Sequence, residues 1–126
     1  MTDRPAFRIQ LDATRNLVRV SYVGRVTAAD MAACAAEIAA SLPAMRPGFI
    51  VVTDLSALES MELDCVAHLT RIMDLSKAHG IGTVVRVIPD PAKDIGFNIL
   101  SIVHYRRGVK IVTCETSAEA ERALAS

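Results

Sequence analysis

At 126 residues the chain has room for one domain and not for two, and a domain of this size buries roughly two thirds of its unfolded surface. Hydrophobic residues make up 52% and charged residues 22%, a globular balance that excludes a largely disordered chain. Fourteen basic and fourteen acidic side chains cancel, there is no Trp, and there are only three Phe and two Tyr, so both the field and the stacking surfaces that nucleic acid needs are lacking.

The start, Met1-Thr2-Asp3-Arg4-Pro5, has no apolar core of the signal-peptide kind, and no apolar run approaches the roughly 18–20 residues that span a bilayer. A cytoplasmic location without membrane insertion is the expectation. Cys34, Cys65 and Cys114 are an odd set without close pairing, suited to a reducing compartment where cysteine acts as a small buried hydrophobe.

Phe7, Ile9 and Leu11 alternate with polar residues, and Val18, Val20 and Tyr22 do the same after the turn-like stretch from Asp12 to Asn16, so an antiparallel hairpin opens the chain. Thr27-x-x-Asp30 is an acidic variant of the capping box. Met31, Cys34, Ala35, Ile38 and Leu42 then share one helical face, and Pro43 and Pro47 end the segment.

Phe49 to Val52 is a short apolar run of the type found in a strand covered on both faces, and Asp54 is expected to close it. From about Glu62 to His79, Val66, Leu69, Ile72, Met73 and Ser76 keep helical spacing, with Gly80 and Gly82 as the exit. A second buried strand follows from Thr83 to Ile88. Asp90-Pro91 opens a third helix whose inward stripe is Ile95, Ile99, Ile102 and Val103. Gly108 leads into a third buried strand, Val109 to Val112, and Thr116-Ser117-Ala118-Glu119 is a capping box for a short, alanine-rich last helix.

The expectation is therefore a single α/β domain over residues 1–126 in the order β-β-α-β-α-β-α-β-α. It has a mixed, mostly parallel sheet of about five strands, an antiparallel N-terminal hairpin and four helices.

This order and the stretch Val51-Val52-Thr53-Asp54-Leu55-Ser56-Ala57-Leu58, followed by Met61-Glu62-Leu63-Asp64-Cys65, resemble the STAS domain, the family of bacterial anti-sigma-factor antagonists and of the cytoplasmic domains of sulfate transporters. The resemblance implies a regulatory module that docks on another protein, such as an anti-sigma-factor kinase or a related regulator. In the family an acidic residue and then a Ser or Thr stand at the helix start, and phosphorylation of that hydroxyl switches binding. Matched without gaps, the acid falls on Glu62 and the hydroxyl on Leu63 or Asp64, neither of which accepts a phosphoryl group as Ser or Thr does. The nearby hydroxyls, Ser56 and Ser60, are expected before the helix. Asp64 is either a permanent stand-in for the phosphorylated residue or an ordinary first-turn acid favoured by the helix macrodipole.

The partner-binding candidates are thus Asp54, Ser56, Ser60, Glu62, Leu63 and Asp64, with the outer helix face near Ala67 and Arg71. In open sheets ligands gather beyond the carboxyl ends of the strands, which adds a rim of Arg86, Asp90 and Asp94. A guanidinium within a buried strand must find a carboxylate or reach water, so Arg86 either bridges to Asp54, Asp90 or Asp94 or points to solvent.

Other constellations are weaker. Cys65-x-x-His68 offers two metal ligands where zinc needs three or four, so no metal or cofactor is expected. His79 sits where an imidazole meets the negative end of a helix. Asp94, His104 and Cys114 contain the residue types of a thiol nucleophile with its base and acid, but spacing alone says little, and a buried structural cysteine beside a capped helix is the favoured reading. No enzyme is expected, and one using Cys114 and His104 is the third class of reading. The basic cluster Arg106, Arg107 and Lys110 reads as a solvated loop, or as a contact for a phosphate or an acidic partner. A carrier or sensor of a small, lipid-like molecule is the alternative to the protein-binding module. The exposed hairpin edge, blunted by Arg8, Arg15 and Arg19, gives a route to a homodimer.

Overall fold

The computed structural model describes residues 6–88 and 109–125. The hairpin forms as expected: β1 (Phe7–Asp12) pairs antiparallel with β2 (Leu17–Val26). Its turn closes through Asn16 N–H to the Ala13 carbonyl at 3.2 Å, and Asp12 Oδ1 accepts from the Arg15 amide at 3.1 Å. α1 (Ala28–Ser41) runs into a 3-10 turn at Leu42–Ala44, followed by β3 (Ile50–Met61), α2 (Cys65–His79), β4 (Thr83–Val87), β5 (Lys110–Cys114) and α3 (Ser117–Ala125). The strands lie in the order β1-β2-β3-β4-β5, and every pair after the first is parallel.

Pleating sends alternate residues of each strand to opposite faces, and two cores follow. On one face α1 and α2 cover Val18, Val20, Tyr22, Val84 and Ile88, with Met31, Cys34 and Ile38 from α1 and Leu69, Ile72 and Met73 from α2. The other face is smaller among the described residues: Leu17, Val52, Val85, Val87 and Cys114 meet Ala120 and, at the margin, Leu124 of α3. A fully buried aliphatic side chain contributes about 1.5–3 kcal/mol, so among the described residues the α1–α2 face carries more of the cohesion. α3 is held further by Glu121, which bridges Arg15 and Arg19 at 3.3 and 2.5 Å.

Three described α-helices were expected from the sequence. The remaining one, from Asp90-Pro91 through Val103, lies outside the described residues, as do Asp94, His104 and the Arg106-Arg107 pair.

β3 differs from its expectation. Asp54 does not close it; the strand continues to Met61 because β2 keeps pairing beyond the point where β4 stops. Two register shifts, between Ser21 and Val23 and between Gly24 and Arg25, each place one extra residue on β3. Its buried residues beyond Asp54 therefore fall at Leu55 and Leu58, with Met61 partly buried, a spacing of three that hides a strand from a period-two reading. Gly24, at φ +66°, supplies the left-handed backbone beside these shifts.

α2 begins at Cys65 rather than near Glu62. Cys65 is buried and Val66 is 37% exposed, so Val66 leaves the expected inward stripe while Leu69, Ile72, Met73 and Ser76 keep it. The helix ends as expected at Gly80, whose φ of +96° is the left-handed cap conformation that glycine adopts at no steric cost. At the last helix the Thr116 hydroxyl accepts from the Glu119 amide at 3.1 Å, but the Glu119 carboxylate reaches back to the Glu115 amide at 3.4 Å instead of the cap residue's own.

Candidate docking site

The long β2–β3 pair delivers two helix starts side by side. Val26 and Met61 are register partners at the ends of their strands, α1 begins two residues after the first and α2 four residues after the second. The α1 start is fully dressed. The Thr27 hydroxyl accepts from the Asp30 amide at 3.1 Å and the Asp30 carboxylate from the Thr27 amide at 2.9 Å, the reciprocal box that the sequence pattern predicts.

A further carboxylate comes from across the chain: Glu62 Oε1 accepts from the Ala28 amide at 2.7 Å. Glu62 is also fixed by its own amide, which donates to the Val26 carbonyl at 3.0 Å, and the Cys65 thiol donates to the same carbonyl at 3.6 Å. Glu62 thus ties the two helix starts together. No sequence signal announced this bond, because its partners are 34 residues apart.

The α2 start is finished differently. Backbone turns satisfy its first amides, Cys65 N–H to the Glu62 carbonyl at 3.0 Å and Val66 N–H to that of Leu63 at 3.1 Å. Asp64 occupies the cap position in αR backbone and makes no side-chain cap hydrogen bond. Leu63 is 84% exposed, and Val66, Ala67 and Arg71 are exposed along the same outer surface of the helix. Leu63 is thus a large aliphatic side chain held in water between two carboxylates.

The other candidates separate. Ser56 and Ser60 lie before α2, as expected, on the second half of β3, and both are exposed. Asp54 Oδ1 accepts from both the amide and the hydroxyl of Ser56, the former at 2.9 Å.

Asp54 is the register partner of Val87, whose side chain belongs to the α3 face, whereas Arg86 shares the opposite face with Val84 and Ile88. The pleat therefore excludes a bridge from Arg86 to Asp54. The solvent-pointing alternative is overturned too, since Arg86 is 3% exposed and its Nη2 donates to Thr113 Oγ1 at 2.6 Å. Asp90 and Asp94, the other carboxylates of the expected rim, lie outside the described residues.

His79 stands in the last turn of α2. Its Nε2–H donates to the Met45 carbonyl at 3.0 Å and its ring meets Phe49 edge-on at a centroid distance of 5.9 Å. No three His, Cys, Asp or Glu side chains cluster for a metal among the described residues. The three cysteines are free and buried. Burial pushes the Cys34 thiol up to about 11, and burial first, then neighbouring carboxylates, raises Cys65 and Cys114 as well.

This architecture is the STAS, or SpoIIAA-like, fold. Neither a protein-family model nor a curated protein sequence matches the chain. The anti-sigma factor antagonist SpoIIAA in its unphosphorylated form superposes with a TM-score of 0.65 at 18% identity, over 96% of this chain and 99% of that one. An uncharacterized protein with a SpoIIAA-like fold from Shewanella loihica PV-4 gives 0.68 at 12% identity, over 98% of both chains. An anti-sigma factor antagonist from Mycobacterium paratuberculosis gives 0.61 at 20% identity over the whole of both. At identities this low the superpositions show a shared fold and nothing beyond it. No described helix is long and apolar enough to cross a membrane.

Proposed function

We propose that this chain is a non-enzymatic, cytoplasmic regulatory module that binds another protein through the start and outer face of α2. The observation that carries the reading is Leu63, 84% exposed between Glu62 and Asp64. An aliphatic anchor flanked by carboxylates suits a partner with an apolar pocket rimmed by Lys or Arg. The antagonists that share the fold, SpoIIAA among them, make a regulatory kinase or anti-sigma-like protein the natural class of partner.

Binding in this module is constitutive rather than switched by phosphorylation at the helix start. Leu63 and Asp64 occupy the positions matched to the family's hydroxyl, and Asp64 presents a permanent charge there without spending it on a cap bond. The high thiol pKa values support the absence of a cysteine nucleophile, since the thiolate is the reactive form. No cofactor enters the reading.

The test is affinity capture from the native cytoplasm with wild type, Leu63→Asp and Asp64→Lys. A protein held by wild type and lost with both variants supports the proposal. Capture of no protein, or of the same proteins by all three, overturns it. A lipid-like molecule seen on the purified chain by native mass spectrometry would move the assignment to a carrier.

A further inference from the structure

β1 is the outer strand of the sheet, and no described strand pairs with its far side. A strand in that position presents unpaired backbone groups, and it invites pairing unless it is blunted. Which groups face outward follows from one bond. The Val23 amide donates to the Ala6 carbonyl at 2.8 Å, one step beyond the Phe7–Tyr22 register pair. Alternate residues of an antiparallel strand address the same neighbour, so Ala6, Arg8, Gln10 and Asp12 bond to β2, while Phe7, Ile9 and Leu11 turn their N–H and C=O groups outward.

We infer that β1 pairs antiparallel with β1 of a second copy about a two-fold axis at Gln10, joining the five strands of each copy into one sheet. Outward-facing residues must meet outward-facing residues, and this register does so by setting Ile9 opposite Leu11 of the second copy. The same register sets Arg8 opposite Asp12 of the second copy, twice by symmetry.

Moving the axis to Ile9 or to Leu11 keeps the hydrogen-bond phase but loses the charge pairing, placing Arg8 or Asp12 opposite Gln10. Arg8 is exposed and makes no ion pair among the described residues. Leu11 is 48% exposed at the end of the hairpin, and Ile9 of the second copy covers it in this register. β5, the opposite described edge, has no such self-complementarity: its one charged residue, Lys110, would face Cys114.

The pairing is tested by sedimentation equilibrium of the full chain over a concentration series, with circular dichroism to check that each variant is folded. Wild type should approach twice the 13.6 kDa of one chain. Arg8→Asp sets two carboxylates face to face at each pair, and Asp12→Arg sets two guanidinium groups face to face. Each alone should raise the dimer dissociation constant about tenfold or more, as two lost and inverted cross-strand pairs require.

An equimolar mixture of the two folded variants restores both attractive pairs and should dimerise as wild type does. That recovery in trans is specific to this register. A monomeric wild type, or a dimer indifferent to both substitutions, or a mixture no tighter than the separate variants, overturns the inference.

Discussion

The two helix starts beside the end of the β2–β3 pair have the same neighbours and opposite finishes. At α1 three groups converge on the free amides: the Thr27 hydroxyl, the Asp30 carboxylate and Glu62 from the far side of the junction. At α2 the cap residue makes no side-chain bond and the largest side chain, Leu63, points into water. A helix end completed from within the chain is part of the fold. One that keeps a free acid and an exposed aliphatic group is available to something else.

The largest contrast should come from Leu63→Asp. Loss of a buried interface anchor costs about 2 kcal/mol or more, so partner affinity should fall at least about thirty-fold, while the melting temperature stays that of wild type. Calorimetric titration and thermal unfolding on the same sample separate the two effects.

Thr27→Ala should do the reverse. Removing a capping-box hydroxyl costs about 1–2 kcal/mol, a drop of a few degrees in thermal unfolding, with partner affinity unchanged. Glu62→Ala joins the two regions, since it removes a bond to α1 and a charge beside Leu63, and both stability and affinity should decline. Asp64→Ala should leave stability within about 0.5 kcal/mol, because no cap bond is lost, and weaken only the partner. An Asp64→Ala variant as unstable as Thr27→Ala would erase the distinction between the two ends.

The smallest effect belongs to the opposite face. The Arg19 hydrogen bond, then Arg15, holds the Glu121 carboxyl below its ordinary 4.5. The ion pairs of α3 therefore contribute fully above that value and fade as the pH falls through the lowered one. Both are exposed to solvent, so the contribution is modest and screened by salt. Glu121→Gln should flatten this acid limb of the stability curve and leave the α2 start untouched.

What the sequence made legible is what local rules govern. The hairpin follows from period-two alternation, α1 from its capping box and its stripe of Met31, Cys34, Ala35 and Ile38, and the α2 exit from Gly80. The second half of β3 is illegible in the sequence because two bulges spread its inward residues to every third position, so the strand is expected to close at Asp54.

The Asp54 alternative for Arg86 fails for a related reason, while Asp90 and Asp94 lie outside the described residues. The face of Arg86 is set by register against Thr53 and Thr113, and only that register shows that Asp54 lies across the sheet from it. Of the candidate site, Glu62, Leu63 and Asp64 do meet at one junction. Their division of labour rests on the bond from Glu62 to Ala28, a contact between distant segments that no local pattern encodes.

The most direct measurement is quantitative affinity capture with Leu63→Asp and Thr27→Ala side by side, each at a temperature where both are folded. A partner protein retained by the Thr27 variant and lost from the Leu63 variant is the predicted result. Equal retention by the two, or loss from the Thr27 variant alone, would contradict the claim that the open start of α2 is where this chain binds.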